Sequence, residues 1–187
     1  SSRLHMGKFE KYKGLFAEQG SFDIPSNFGI GLSLTPMAGV TVALDLNRIN
    51  YSEVASVGGP GAVQAQLGSA HGPGFGWRDI NVFKLGAQWK ASDALTVRAG
   101  YNKGQNPIGA SDVTFNIVAP GVVTTHYTLG WTWAASATSE FTGAYMVAPR
   151  NSVSGASLFG NFPGFPASTE TIGMKQSSFG LAWAWKY

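Results

Sequence analysis

Apolar and small or polar positions alternate with period two along most of the chain. Phe28, Ile30, Leu32 and Leu34 alternate with Asn27, Gly29, Gly31 and Ser33. Val40, Val42, Leu44 and Leu46 alternate with Thr41, Ala43, Asp45 and Asn47. Leu95, Val97, Ala99 and Tyr101 alternate with Thr96, Arg98, Gly100 and Asn102. Tyr127, Leu129, Trp131 and Trp133 alternate with His126, Thr128, Gly130 and Thr132, and Phe141, Tyr145 and Val147 alternate with Thr142, Ala144 and Met146. The last ten residues set Phe179, Leu181, Trp183, Trp185 and Tyr187 against Gly180, Ala182, Ala184 and Lys186. Such alternation is a strand signal, because successive side chains of a strand point to opposite faces. From Asp79 to Trp89 the phase slips once: Ile80 and Val82 give way to Phe83, Leu85, Ala87 and Trp89, with Lys84, Gly86 and Gln88 opposed. A one-residue slip turns the faces over, so a β-bulge is predicted near Val82. About seven strands result, each near the ~9–11 residues that cross a bilayer at a tilt.

The connections also alternate. Thr35–Gly39, Lys90–Ala94 and Ala135–Ser139 read as tight turns, whereas 50–78, 103–123 and 148–175 read as long loops rich in Gly, Pro, Ser and Asn. Structureless loops of this length count against a compact soluble domain. Together with a large apolar face backed by a small, polar one, they predict an all-β fold, an antiparallel transmembrane β-barrel of the outer-membrane type. Short turns would be periplasmic, which puts the C-terminus in the periplasm and residues 1–25 outside. Residues 26–187 then carry the strands. Single-chain bacterial barrels have an even strand number and open edges are not viable in lipid, so seven strands call for a missing strand or for a larger parent barrel. Ser1 opens in mid-pattern, and Ser1–Gly7 shows no signal peptide, which suits a start inside a longer chain.

Composition narrows the class. Of the 187 residues 12% are charged, about half the ~25% of a soluble domain. Aromatics make up 13%, there are 25 glycines and no cysteine, and the formal net charge is +3. Disulfide scaffolds and Cys-based metal sites are excluded, no apolar run reaches the length of a membrane helix, and the charge is too weak and scattered to argue for nucleic acid. His5, His71 and His126 are the three histidines. His126 is followed two residues on by Thr128 and lacks a nearby orienting group, so a His–Ser nucleophile pair is not supported. His71 has no second ligand at metal spacing, and the Gly72–Gly76 pattern lacks a following helix. No catalytic role, cofactor or metal is expected.

Three stretches resemble one family: G-P-G-F-G-W-R-D (Gly72 to Asp79), I-V-A-P-G-V-V-x-x-H (Ile117 to His126) and H-M-G-K-F-E-K-Y-K-G-L-F-A-E-Q-G-x-F-D-I-P (His5 to Pro25). They resemble the FadL-type long-chain fatty-acid transporters, a family that includes TodX-like importers of aromatic hydrocarbons. The resemblance covers nearly the whole chain and corresponds to the C-terminal half of the family pattern. It implies half of a 14-stranded barrel, whose other half carries a plugging hatch and a lateral exit. It implies passive import of long-chain fatty acids or aromatic hydrocarbons, with outer-membrane lipid around the barrel and the N-terminal half as partner.

Candidate residues follow, each with two readings. Lys8 to Gln19 could form one short amphipathic helix, with Phe9, Tyr12, Leu15 and Phe16 large and apolar and Lys8, Lys11 and Lys13 on the polar side. It either caps the barrel mouth or forms an outer groove that first captures a lipid tail. The resemblance favours the groove. Arg78 either pairs with Asp79 to pin its loop or binds a substrate carboxylate, for which its forked guanidinium is suited. The resemblance places a basic residue of this motif near an inner pocket. Asp45, Lys84, Arg98 and His126 fall on the predicted lumen face, as a salt-bridge and hydrogen-bond network or as a polar relay along the substrate path. Inward Gly29, Gly31, Gly86, Gly100, Gly130 and Gly180 thin the wall for a plug or a passage. The reading from another class is a structural or adhesion barrel whose loops bind partners. An outer-membrane lipid enzyme is a third.

Overall fold

The alternation folds into seven antiparallel strands in one open sheet, in the order of the sequence. The computed structural model describes residues 1–8, 10–63 and 65–185. The strands are β1 Asn27–Met37, β2 Val40–Ile49, β3 Ile80–Lys90, β4 Leu95–Gly104, β5 Thr125–Ala134, β6 Ser139–Ala156 and β7 Thr169–Trp185. Each pairs with its sequence neighbours, and β1 and β7 form the two edges. Lys186 and Tyr187, the last positions of the alternation, lie outside the described residues.

Register lines the large side chains up in rows on one face. One row runs Leu32–Leu44–Leu85–Tyr101–Tyr127–Val147, and another runs Leu95–Trp133–Phe141–Trp183. The opposite face carries Gly31–Asp45–Lys84–Asn102–His126 and Gln88–Arg98–Gly130–Ala144–Gly180. The large residues do not pack into a core: Trp131, Trp133, Trp183 and Trp185 are 39% to 63% exposed. The face ends in aromatics at both limits. Near the short turns, Phe141 stacks on Trp183 with centroids 6.0 Å apart and on Trp133 at 6.0 Å. Near the long loops, Tyr101 meets Tyr127 at 5.5 Å and Phe83 at 6.5 Å. From Tyr127 to Trp133 is roughly 20 Å along the strand. Paired aromatic girdles around an apolar band are the signature of a bilayer-spanning sheet. Gly143 interrupts the large face of β6 because the Trp131 indole occupies the space of a side chain there: a Cβ would lie 2.6 Å from its ring.

The short turns are built from local chemistry. Gly39, at φ +78°, closes β1–β2 in a backbone region that favours glycine. In the β3–β4 turn the Ser92 hydroxyl accepts from the amides of Ala94 and Leu95, and Lys90 pairs with Asp93 at 2.7 Å. In the β5–β6 turn Ser136 accepts from the Thr138 amide. Serine hydroxyls that bond forward in this way substitute for a backbone turn bond.

Two expectations are corrected. No bulge lies near Val82: β2 and β3 pair without a break from Val40–Trp89 to Ile49–Ile80. Ile80 and Val82 stay in phase with Lys84 and Gly86, and the pattern looks slipped because this end of the inner face is itself apolar. The irregularities lie between Leu34 and Met37 and between Ala148 and Asn151. The third long loop is also shorter than 148–175. The β6–β7 ladder continues past the second irregularity to Ala156–Thr169, leaving 157–168 as the connection.

Candidate functional site: a chamber beneath the loop cap

The buried core of the molecule lies among the long loops, on the small-residue face, which is therefore the inner face. Ile108, Val113, Val122 and Ile172 form a buried cluster, with Trp77, Val153 and Met174 against it. Phe16 packs on Phe22, Phe75 and Phe115 with centroids 4.9 to 6.1 Å apart. The glycines of Gly72–Asp79 permit this closeness. A Cβ on Gly74 would collide with the carbonyls of Ala55 and Gly59, and Gly76 combines φ +69° with the Asp112 carboxylate packed against it. Asp112 accepts from the Gly61 amide at 3.0 Å. The buried Asn116 amide donates to the carbonyls of Phe75 and Asp112, and its oxygen accepts from Trp77 Nε1 at 2.6 Å. On the β6–β7 side Glu170 accepts from Thr114 and from Ser157. Three separate loops are thus tied into one cap with its buried polar groups paired, as buried polar groups must be.

The N-terminal segment is fastened to the same cap: Arg3 donates to the Glu53 carbonyl at 2.6 Å, the Ser56 hydroxyl donates to the Ala17 carbonyl at 2.7 Å, and the Ala17 amide donates to the Pro73 carbonyl at 2.8 Å. The Asp23 carboxylate accepts from the Met6 amide at 2.9 Å, from Arg3 at 2.9 Å and lies 2.7 Å from His5 Nδ1. The Met6 bond and these two neighbours hold Asp23 at a pKa of about 2. Asp79, at the foot of the second loop, is also lowered, chiefly by the Ser52 amide and also by Arg48, whose Nη2 lies 3.1 Å away.

Below the cap a cavity of about 580 Å³ opens against the inner face. Its upper wall carries Ile49, Ile80, Val82 and Val123, with Tyr51 and Trp77 from the cap, interspersed with Asn27, Asn47, Gln105 and Thr124. Those two rings meet edge to face at 5.0 Å, and burial raises the pKa of Tyr51. The floor is polar. Lys84, Asn102 and His126 line this chamber and also a second cavity of about 230 Å³ beneath it, flanked by Gly86 and Gly100. The three side chains mark the boundary between the two. Lys84 Nζ lies 3.0 Å from the Asn47 amide oxygen once that amide is oriented to accept. His126 Nδ1 is buried without a hydrogen-bond partner among the described residues.

The candidates from sequence distribute unevenly around this chamber. Lys84 and His126 line it, and Asp45 lines the lower cavity. Arg98 lies deeper on the inner face, held by Gln88 at 2.8 Å and Thr132 at 2.8 Å, and Thr132 meets Thr142 at 3.0 Å. The salt-bridge form of the lumen network is corrected: no ion pair joins Asp45, Lys84, Arg98 and His126 among the described residues. Neutral hydroxyls and amides satisfy the cations instead. The inner glycines have a local cause as well: the side chains of Asn47, Asp45 and Thr128 lie across Gly29, Gly31 and Gly100.

Arg78 is outside the chamber lining. Its amide donates to the Pro107 carbonyl at 2.9 Å and its guanidinium covers Gly109. The expected Arg78–Asp79 pair is replaced by Arg48–Asp79. The single helix from Lys8 to Gln19 is replaced by a 3₁₀ turn, Glu10–Tyr12, and a short turn, Ala17–Gly20. Glu18 and Gln19 adopt φ of 52° and 60°, which no helix continues, because their amides bond to the carbonyls of Ser69 and Gly68. Phe16 is 7% exposed, so it belongs to the cap core and not to an open groove, while Leu15, Lys8 and Lys11 are exposed. Phe9 and the side chain of Tyr12 lie outside the described part of the structure. Sequence reasoning missed Ile80, Val82 and Trp77 as chamber residues. The apolar pair ahead of Lys84 was the available signal.

Residues 15–180 match the family model described as outer membrane protein transport protein (OMPP1/FadL/TodX). Among solved structures the chain is similar to the Pseudomonas putida toluene transporter TodX, at 17% identity and a TM-score of 0.59 over 90% of this chain and 36% of that one. It is similar to a Pseudomonas aeruginosa FadL homologue, at 13% identity and 0.60 over 88% and 36%. It is also similar to the Ralstonia pickettii toluene transporter TbuX, at 19% identity and 0.50 over 89% and 34%. At these identities the likeness is one of fold. The chain spans about a third of the length of these structures. No curated protein matches the chain.

Proposed function

The chain belongs to the OMPP1/FadL/TodX family of outer-membrane transport proteins, and we propose from that membership that it serves passive import of hydrophobic molecules. The observation that carries the reading is the chamber: Ile49, Ile80, Val82, Val123 and the Tyr51 and Trp77 rings under a packed cap, above a floor of Lys84, Asn102 and His126. In this reading a long-chain fatty acid or an aromatic hydrocarbon reaches the chamber from the loop side, which faces outward, and the short turns and C-terminus face the periplasm. Exposed Leu15, Lys8 and Lys11 form the outer approach. Arg78 and then Lys84 hold a carboxylate where the substrate has one. The sheet works within a larger barrel, closed by an N-terminal half whose hatch supplies the plug. The family is one of transporters, and no bond is made or broken.

The test compares chamber-filling and charge-removing variants in the assembled barrel. Val82→Trp should slow initial uptake of both a labelled fatty acid and toluene while the barrel stays folded. Lys84→Met should slow fatty-acid uptake about tenfold, the worth of one charge-assisted hydrogen bond, and leave toluene unchanged. Unaltered uptake with Val82→Trp would remove the chamber from the path. One observation favours the adhesion reading: Phe159, Phe162 and Phe165 stand exposed at the tip of the β6–β7 hairpin, with two of their rings 6.1 Å apart. If Phe159→Ser with Phe165→Ser abolishes partner binding by whole cells while Val82→Trp does not affect uptake, adhesion is the function.

A further inference from the structure

The outer face changes character immediately above the upper aromatic girdle. Tyr101, Tyr127 and Val147 form one row, with Ser177 on β7 opposite Val147. Two residues further toward the loops the row reads Lys103 on β4, Thr125 on β5 and Lys175 on β7. The β6 position between them falls in the irregularity between Ala148 and Asn151. Ala148 and Asn151 both belong to the inner face, since Ala148 is buried and Asn151 donates to the Val122 carbonyl. The extra residue of the bulge lets Arg150 turn outward: its guanidinium lies over the outer side of Gly173, where a Cβ would be 3.1 Å from Nη2. Bulges commonly re-aim a side chain in this way.

Lys103, Arg150 and Lys175 are all exposed. Lys103 Nζ is hydrogen-bonded to the hydroxyls of Thr124 and Thr125. No carboxylate forms an ion pair with any of the three among the described residues, whereas Arg48 further along the rim is neutralised by Asp79. Lys103 and Lys175 stand three strand spacings apart, roughly 15 Å, with Arg150 between them. The row lies one pleat repeat, roughly 7 Å, beyond Tyr101 and Tyr127, and on β3 and β2 it continues as Phe83 and Leu46. On β4 to β7 the cations thus stand at the loop-side limit of the apolar band, where a bilayer-spanning wall meets the polar interface.

We infer that Lys103, Arg150 and Lys175 form a binding site on the outer wall for the phosphate groups of an outer-leaflet glycolipid. The site rests on the reading that the long loops face outward from an outer membrane. Three cations with free donors on a flat wall match a multiply phosphorylated headgroup, with the acyl chains lying on Tyr101, Tyr127, Tyr145 and Phe179 below. Arginine and lysine divide the work, the first by forked hydrogen bonds and the second as point charges. The site is separate from the chamber, which lies on the other face of the sheet.

The test uses the assembled barrel isolated in mild detergent. The probes are a bisphosphorylated lipid A, the same lipid after dephosphorylation, and inorganic phosphate at equal phosphate concentration. Binding is read by native mass spectrometry. The wild type should retain the bisphosphorylated lipid and discriminate against the other two. K103Q/R150Q/K175Q should bind about a hundredfold more weakly, roughly fivefold per charge lost, and K103R/R150K/K175R should keep most of the affinity. K90Q, at the short-turn end, should bind as the wild type does. Equal binding by the glutamine variant, retention of the dephosphorylated lipid, or displacement by inorganic phosphate would overturn the inference. The orientation is checked by labelling a cysteine at position 168, in the β6–β7 connection, on intact cells. Absence of labelling sinks the orientation and the site together. Labelling with unaltered lipid binding in the glutamine variant sinks the site alone.

Discussion

Leu129 sits midway along β5 on the large-residue face, between the girdle residues Tyr127 and Trp133, and is 63% exposed. In water, an exposed leucine contributes little to stability. In a bilayer that same surface rests on acyl chains, and the two cases predict different numbers. Leu129→Ala removes three carbons at about 0.8 kcal/mol each, and scaling by the exposed fraction gives roughly 1.5 kcal/mol. Leu129→Arg places a cation near the midplane and should cost about 2–4 kcal/mol. The control is Ala182→Arg on β7, which points to the inner face opposite Thr142, where a cation meets the open lumen and should cost about 1 kcal/mol or less. The assay is equilibrium unfolding of the assembled barrel in lipid vesicles by guanidinium, read by tryptophan fluorescence. Equal costs for the two arginines, or a Leu129→Ala cost near zero, would mean that the large-residue face does not meet lipid. The whole assignment of inner and outer walls would then fall.

Two further perturbations address the cap. Asp23 titrates at about 2 against an ordinary value of 3.8, and a folded-state pKa that is depressed stabilises above the unfolded value. The clasp on Met6, Arg3 and His5 is therefore fully present above about pH 4–5 and lost as pH falls through about 2, a change of roughly 2 kcal/mol. Proteolysis of residues 1–25 by an acid protease should rise across that window in the wild type and be elevated and pH-independent in Asp23→Asn. A flat wild-type profile would detach Asp23 from the anchoring. Gly76→Ala meets both a left-handed backbone and the Asp112 side chain, and should loosen the cap by about 2 kcal/mol. Limited proteolysis of the 50–79 and 105–124 loops should quicken together, since Asp112 bonds Gly61 across them. Quickening of the first loop alone would show that the loops are not one cap.

Strand number, order and facing were legible because period two survives any tertiary context in which one wall is apolar and the other is not. The miss at Val82 has a physical reason. On β3 the inner wall turns apolar where the cap covers it, and buried Ile80 and half-buried Val82 lie there. A local run of apolar residues on the wrong phase looks like a slip when it is really a change of environment. The 18-residue strand Ser139–Ala156 was hidden for a related reason: Asn151, Ser152 and Ser154 pair with β7 beyond the membrane, where no lipid demands apolar partners. The Lys8–Gln19 segment had helical spacing on paper, but backbone bonds to Gly68 and Ser69 outweighed it, aided by Gly14, since glycine lowers helix stability by roughly 1 kcal/mol. Lys84 and His126 were legible as inner-face residues. Their sharing of a floor was not, since it depends on cross-strand register through Asn102.

The topology constrains how the two free edges can be satisfied. Each of the seven strands is antiparallel to its neighbours, so β1 and β7 run in the same direction. Closing the sheet on itself would pair these edges in parallel. Two copies related by an axis along the membrane normal would also meet β1 against β7, again in parallel. An antiparallel barrel needs something else between the edges: an odd number of strands whose first and last both run opposite to β1 and β7. Nothing else keeps the alternating arrangement of turns and loops at the two ends. In lipid the demand is strict, because each unpaired backbone group costs several kcal/mol. The seven strands here and any odd complement sum to an even number, the parity of bacterial single-chain barrels. The chamber has the same requirement, since its lining residues come from β1 to β5 and the cap, and the complementary strands would supply the wall that faces Lys84 and His126 across the lumen.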